Sequence, residues 1–221
     1  MPAGFVTALC LTMVVPTLSL IILASETVRT FDDESAGHPP AGFSFRVTRD
    51  ASPATWLVQR DGANGFLAHV GEPSARARFS LAILDDTAAG AEWVSVRARM
   101  AGPRGTLGVL WRVQDAENYY LAKLDLSRQD IGLYRVVRGN RVRIEGEDDL
   151  ELDPNAWHTL KVVQDGDSIR VYIGGIRVLR ARDRTFGTSG AAGVWCTGDA
   201  VAHFDDVKIG RENDEGPRRR R

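Results

Sequence analysis

Cysteine is almost missing from this chain of 221 residues, which has only Cys10 and Cys196. Cys10 lies in a nonpolar leader, so a chain processed after it keeps one thiol and no internal disulfide, and stability must come from packing. Cys196 sits in the apolar stretch Val194-Trp195-Cys196-Thr197, with no His or Lys beside it to activate a thiolate, and reads as a small buried hydrophobe. Charge is absent from residues 1–25, and a basic excess is absent from the body. The formal net charge is -1, and -5 once the four arginines at 218–221 are set aside. No basic face offsets the acids, which argues against a nucleic-acid partner. Glycine-rich phosphate loops, nucleophile elbows, His/Ser/Asp arrangements and His/Cys zinc spacings are all missing, which removes the commonest nucleotide, hydrolase and zinc chemistries.

What is present is a globular composition, 43% hydrophobic and 26% charged. The uncharged leader, with its apolar run at 18–23, reads as an N-terminal signal peptide over 1–25 or as an uncleaved membrane anchor, so export is expected in either case. Residues 30–210 form one expected domain, and 211–221 a disordered basic tail.

Within the body, apolar residues recur with period two: Phe79, Leu81, Ile83; Val94, Val96, Ala98, Met100; Leu107, Val109, Trp111, Val113; Leu160, Val162; Ile169, Val171, Ile173. Turn residues separate these runs, and Asp165-Gly166 between residues 159–164 and 168–173 is the best local hairpin signal; a second hairpin is expected at Gly174-Gly175. Residues 118–126 also suit helical spacing, but Tyr119-Tyr120 favours a strand. Strands every 8 to 12 residues without interleaved helices predict an all-β, antiparallel jelly-roll β-sandwich of two sheets.

If Val94, Val96 and Ala98 face the core, Arg97 faces out, and the same parity sets Arg112 opposite Trp111. Tyr119, Lys123 and Arg135 are expected to join such an outward polar face, where arginines and an aromatic ring suit a polyhydroxylated ligand; plain solvation of the sheet is the alternative. Two further groups of acids stand out. Glu147, Asp149 and Glu151 match a Glu-x-Asp-x-Glu glucanase pattern, which on a strand would align three carboxylates, although the acid-rich surroundings also suit a solvated connector. Asp32 and Asp33 open the domain while Asp205 and Asp206 close it; they either share a structural calcium ion or cap turns and strand ends, and no cofactor is otherwise required.

Four stretches carry a family likeness: residues 110–120, which include Trp111-Arg112-Val113-Gln114-Asp115; residues 156–162, which include Trp157-His158; residues 165–172; and Gly193-Val194-Trp195 leading to Phe204-Asp205-Asp206-Val207. Together they resemble the laminin G-like domains of exported bacterial proteins, including the 3-keto-disaccharide hydrolase-like group, within the concanavalin A-like lectin and glucanase superfamily. The resemblance implies a sandwich that hosts lectins, hydrolases and adhesive modules alike. It adds Asp115 and Trp195 to Arg97, Arg112, Tyr119, Lys123 and Arg135 as residues to inspect for ligand contact. The expected function is a monomeric, exported module that binds a glycan or cell-envelope component. A glycoside-cleaving enzyme and a passive envelope component are the alternatives.

Overall fold

The computed structural model describes residues 26–48, 55–72, 78–85, 91–187 and 190–211, so the leader expected at 1–25 and nearly all of the basic tail lie outside the described residues. The described chain is a two-sheet antiparallel jelly roll. The first sheet runs in the order Ile176–Arg182 (β13), Ser168–Ile173 (β12), His158–Asp165 (β11), Trp93–Met100 (β6), Ala202–Gly210 (β15), Asn64–Val70 (β4) and Thr55–Asp61 (β3), with Thr27–Arg29 (β1) also paired to β15. The second runs Asn140–Glu147 (β10), Asp130–Val137 (β9), Asn118–Asp125 (β8), Leu107–Asp115 (β7), Ala191–Thr197 (β14), Phe79–Leu84 (β5) and Phe43–Val47 (β2).

The period-two runs explain the core. Val94, Val96 and Ala98 of β6, Leu160 and Val162 of β11, and Ile169 and Val171 of β12 meet Leu107, Val109 and Trp111 of β7 across the sandwich. Each large apolar side chain buried there contributes about 1.5–3 kcal/mol. Both expected hairpins form, β11 to β12 through Asp165↔Ser168 and β12 to β13 through Ile173↔Ile176. Gly166 and Gly174, at φ 56° and 57°, supply the left-handed backbone that these turns need. Residues 118–125 are a strand, as the paired tyrosines suggested.

The second sheet departs from the simple pattern because it is apolar on both faces. Leu81, Leu110, Tyr119, Leu121 and Trp195 form a separate buried cluster on its outer side. The run Phe79, Leu81, Ile83 therefore marks β5 correctly but lines the outer face, while Ala82 and Leu84 fill the core. Glycines open the outer face to neighbouring backbone. A Cβ on Gly193 would stand 2.1 Å from the carbonyl oxygen of Ala82, and one on Gly108 would stand 2.4 Å from that of Ala122.

Val113 also changes sides. An irregularity between Trp111 and Asp115, with Arg112 at φ 48°, breaks the alternation of β7, so Trp111 belongs to the core and Val113 to the outer cluster.

Candidate functional site

A groove of about 770 Å³ lies where the outer face of the second sheet meets the loops at one end of the sandwich. Its floor is built by a strap. Thr106 N donates to Thr197 Oγ1 at 3.0 Å, and Thr197 N donates to the Thr106 carbonyl at 3.0 Å, which ties the β6–β7 loop to the β14–β15 turn. Gly105, at φ 90°, makes the strap possible, because a Cβ there would fall 2.5 Å from the Ala200 Cβ and 2.6 Å from Thr197 Oγ1. The opposite wall is the β8–β9 turn. Asp125 Oδ1 accepts hydrogen bonds from Ser127 N, Ser127 Oγ and Arg128 N, so this carboxylate is spent on the turn.

Four cations line the groove: Arg104, Lys123, Arg128 and Arg141. Tyr134 lies against Gly132, where an added Cβ would meet its ring at 2.5 Å, and the flat ring is flanked by Lys123 Nζ at 6.0 Å and the Arg141 guanidinium at 5.1 Å. Arg141 also stands 5.1 Å from the Phe79 ring, so its guanidinium makes cation–π contact with two aromatic rings. Lys123 is half-buried and ion-paired with Asp130 at 3.9 Å. Burial pulls its ammonium below the ordinary lysine value, against the pull of Asp130 and Asp125. Asp199, 9% exposed, borders the same groove, and its Oδ1 is a buried acceptor without a hydrogen-bond partner.

Of the residues singled out from sequence, only Lys123 lines this groove. Tyr119 and Trp195 face the same side of the sheet but are 1% and 0% exposed, so they pack rather than present a ring. Burial pushes the Tyr119 hydroxyl up to about 12, slightly opposed by the nearby Trp195 indole. Both residues border a smaller cavity of about 140 Å³ next to Phe79 and Arg141.

The others stand elsewhere. Arg112 donates to the Phe186 carbonyl at 2.6 Å and, at 3.4 Å, to that of Gly166, linking the two sheets at the far end. Asp115 caps the β7–β8 turn by accepting from Glu117 N and Asn118 Nδ2. Arg135 does not join the outward face; it meets Asp183 Oδ2 at 2.5 Å on the inward side, beside Tyr120. Arg97 does face outward, but from the first sheet, where its guanidinium lies 4.7 Å from the Trp157 ring centroid and 3.6 Å from both Asp205 and Asp206. The Glu147, Asp149 and Glu151 pattern straddles the end of β10 and an exposed connector, so its carboxylates share no strand. Gln129 fastens that connector to the β8–β9 turn through Leu150 and Leu152.

The terminal aspartates gather around the β3–β4 turn. Asp32 Oδ1 accepts from Gly65 N at 2.8 Å, and Asp205, 3% exposed, accepts from Asn64 Nδ2 at 3.2 Å and from Asp206 N at 2.7 Å. Asp206 pairs with Arg97 and with Lys208, while Asp33 is exposed. These direct bonds supply the clasp, and we expect calcium or a chelator to leave the Tm of the purified chain unchanged. A calcium-dependent rise of about 3 °C or more, near 1 kcal/mol for a chain of this size, would place an ion there instead.

Arg104, Tyr134, Arg141 and Asp199 do not stand out in the sequence, and Phe79 does so only as a strand residue. For Tyr134 and Arg141 a usable signal existed, since both share a face with Val136 once the β9–β10 register is known.

No family model matches the chain, and no curated protein matches its sequence. Solved structures do match its fold. The carbohydrate-binding module CBM66 from Bacillus subtilis is 21% identical with a TM-score of 0.60, over 75% of this chain and 94% of that one. The Bacillus licheniformis beta-glucanase is 10% identical with a TM-score of 0.59, over 86% and 98%. A prokaryotic beta-1,3-1,4-glucanase (lichenase) derived from a mouse hindgut metagenome is 10% identical with a TM-score of 0.57, over 84% and 98%. The chain thus has the jelly-roll architecture found in a carbohydrate-binding module and in glucanases.

Proposed function

We propose that this chain is an exported, non-catalytic module that binds a carbohydrate or cell-envelope glycan in the groove between the β6–β7 loop, the β8–β9 turn and β10. The observation that carries this reading is the groove's lining, which among the described residues joins four cations and Phe79 to two carboxylates, one of them spent on capping its own turn. Cleaving a glycosidic bond by the usual route needs an acid and a second carboxylate free to act on either side of it. Donors set beside an aromatic surface suit hydroxyl and ring contacts instead. The fold shared with CBM66 supports the same reading.

The test is an oligosaccharide array of neutral and acidic glycans probed with the purified chain, followed by titration of its best ligand. Lys123→Ala should weaken that ligand about tenfold or more, as expected for loss of a charged hydrogen-bond donor. Silence on the array together with unchanged binding to isolated cell envelopes by Lys123→Ala would overturn the assignment. Asp199, with its unpartnered oxygen, favours one alternative, a glycoside-cleaving enzyme like the 3-keto-disaccharide hydrolases. Release of product from a panel of glycosides and 3-keto-glycosides, abolished by Asp199→Asn, would establish that alternative.

A further inference from the structure

The four cations of the groove are not equivalent. Lys123 is paired with Asp130 at 3.9 Å and Arg128 with Asp125 at 3.8 Å. Arg104 and Arg141, both exposed, have no carboxylate within ion-pair distance among the described residues. Among the described residues, only Asp199 stands on the groove against these two arginines, so in a chain whose formal net charge is -1 one concave surface keeps an excess of positive charge. Arg141 is also pre-set. Its guanidinium stands 5.1 Å from both the Phe79 and the Tyr134 ring centroids, which anchors it on the sheet while the exposed side chain keeps N–H donors to grip a planar anion. A third feature separates a charged sugar from a simple anion. Asp199 and Thr106 both line the groove, and each keeps one buried polar atom, Oδ1 and Oγ1, without a hydrogen-bond partner among the described residues. The Asp199 carboxylate accepts a hydroxyl beside the arginines, which favours an anion that also carries hydroxyls over a bare one.

From these three features we infer that the groove selects saccharides carrying a carboxylate, as uronic acids do, with Arg141 and Arg104 receiving the carboxylate. This deepens the glycan-binding reading above and rests on it.

The experiment compares oligogalacturonate and oligomeric alginate with their carboxyl-reduced counterparts by isothermal titration calorimetry in 20 mM and 500 mM NaCl, with dextran sulfate and inorganic phosphate as further ligands. At least one uronate should bind tenfold or more tighter than its reduced form at low salt, and the gap should shrink at high salt. The double variant Arg104→Ala/Arg141→Ala should abolish the preference while its Tm stays within about 5 °C of the parent's, and Arg141→Lys should keep only part of the preference, because an ammonium lacks the guanidinium fork. Equal affinity for a uronate and its reduced form would overturn the inference and leave glycan binding standing. Tighter binding of dextran sulfate or phosphate would overturn it in favour of a non-selective cationic surface. Failure of every saccharide, here and on the array, would remove both readings.

Discussion

Trp111→Ala is expected to lower the free energy of unfolding by about 4 kcal/mol, and the Tm by roughly 10 °C in a chain of this length. Trp111 is 4% exposed, stacks on Tyr120 at 5.3 Å, and donates its indole N–H to Gln164 Oε1 at 2.7 Å. The stack ties β7 to β8 within the second sheet, and the buried hydrogen bond crosses to β11 of the first. Truncation removes both and strands the Gln164 carbonyl, since Gln164 is 2% exposed. Trp111→Phe separates the contributions. It keeps an aromatic ring against Tyr120 and loses the donor and part of the volume, so it should cost about 2 kcal/mol. Chemical denaturation of both variants is the measurement. A loss below about 1.5 kcal/mol for the alanine variant would mean that this end of the sandwich is not held by Trp111.

The second large effect concerns Asp183. Its Oδ1 accepts from the Tyr120 hydroxyl at 2.6 Å and from Thr185 N at 2.8 Å, and its Oδ2 from Arg135 at 2.5 Å. Burial alone would raise its pKa, but the hydrogen bonds from Thr185, Tyr120 and Arg135 outweigh it and hold the carboxyl at about 2, down from 3.8. Asp183→Ala leaves a buried phenol without its acceptor and a guanidinium without its anion, and should cost about 3 kcal/mol, the low end for a broken buried pair because Arg135 is partly solvated. The sign with pH follows from the depressed value. The contribution is fully present above pH 3.8 and is lost as pH falls through about 2. Denaturation curves of parent and variant at pH 7 should lie about 3 kcal/mol apart and converge towards pH 2. A gap that persists unchanged at pH 2 would show that the variant is destabilised through packing rather than through the carboxylate.

The sandwich was legible in the sequence wherever one face of a strand is apolar and the other polar. Val94, Val96 and Ala98 alternate cleanly with Ser95, Arg97 and Arg99, and β6 lies as that alternation predicts. The β11–β12 hairpin was equally clear, because Asp165-Gly166 names its own turn. The candidate site was much less legible. Lys123 was placed correctly by parity, but Arg135 was assigned outward because nothing local reveals Asp183, 48 residues away, waiting on the inner side. Arg112 lost its expected direction to the backbone irregularity at φ 48°, which no alternation records. Arg104 and Asp199 sit on loops, and their place on one groove depends on the Thr106–Thr197 strap, a pairing 91 residues apart. A polar site assembled from loop ends leaves no periodic trace, whereas a core does.

The two-faced apolar character of the second sheet has a consequence for how its strands find their partners. Where one face is wet, a slip of one residue drives an entire hydrophobic set into solvent and is rejected at once. Along β14 that safeguard is weak, since Ala192, Val194 and Cys196 on one side and Trp195 on the other are all fully buried. The glycines provide a steric key instead. A slip that brought any other residue to the place of Gly193 would set its Cβ against the carbonyl of Ala82, and Gly108 guards β7 against β8 in the same way through Ala122. Alignment in the middle of this sheet is thus written in two missing side chains rather than in hydrophobicity.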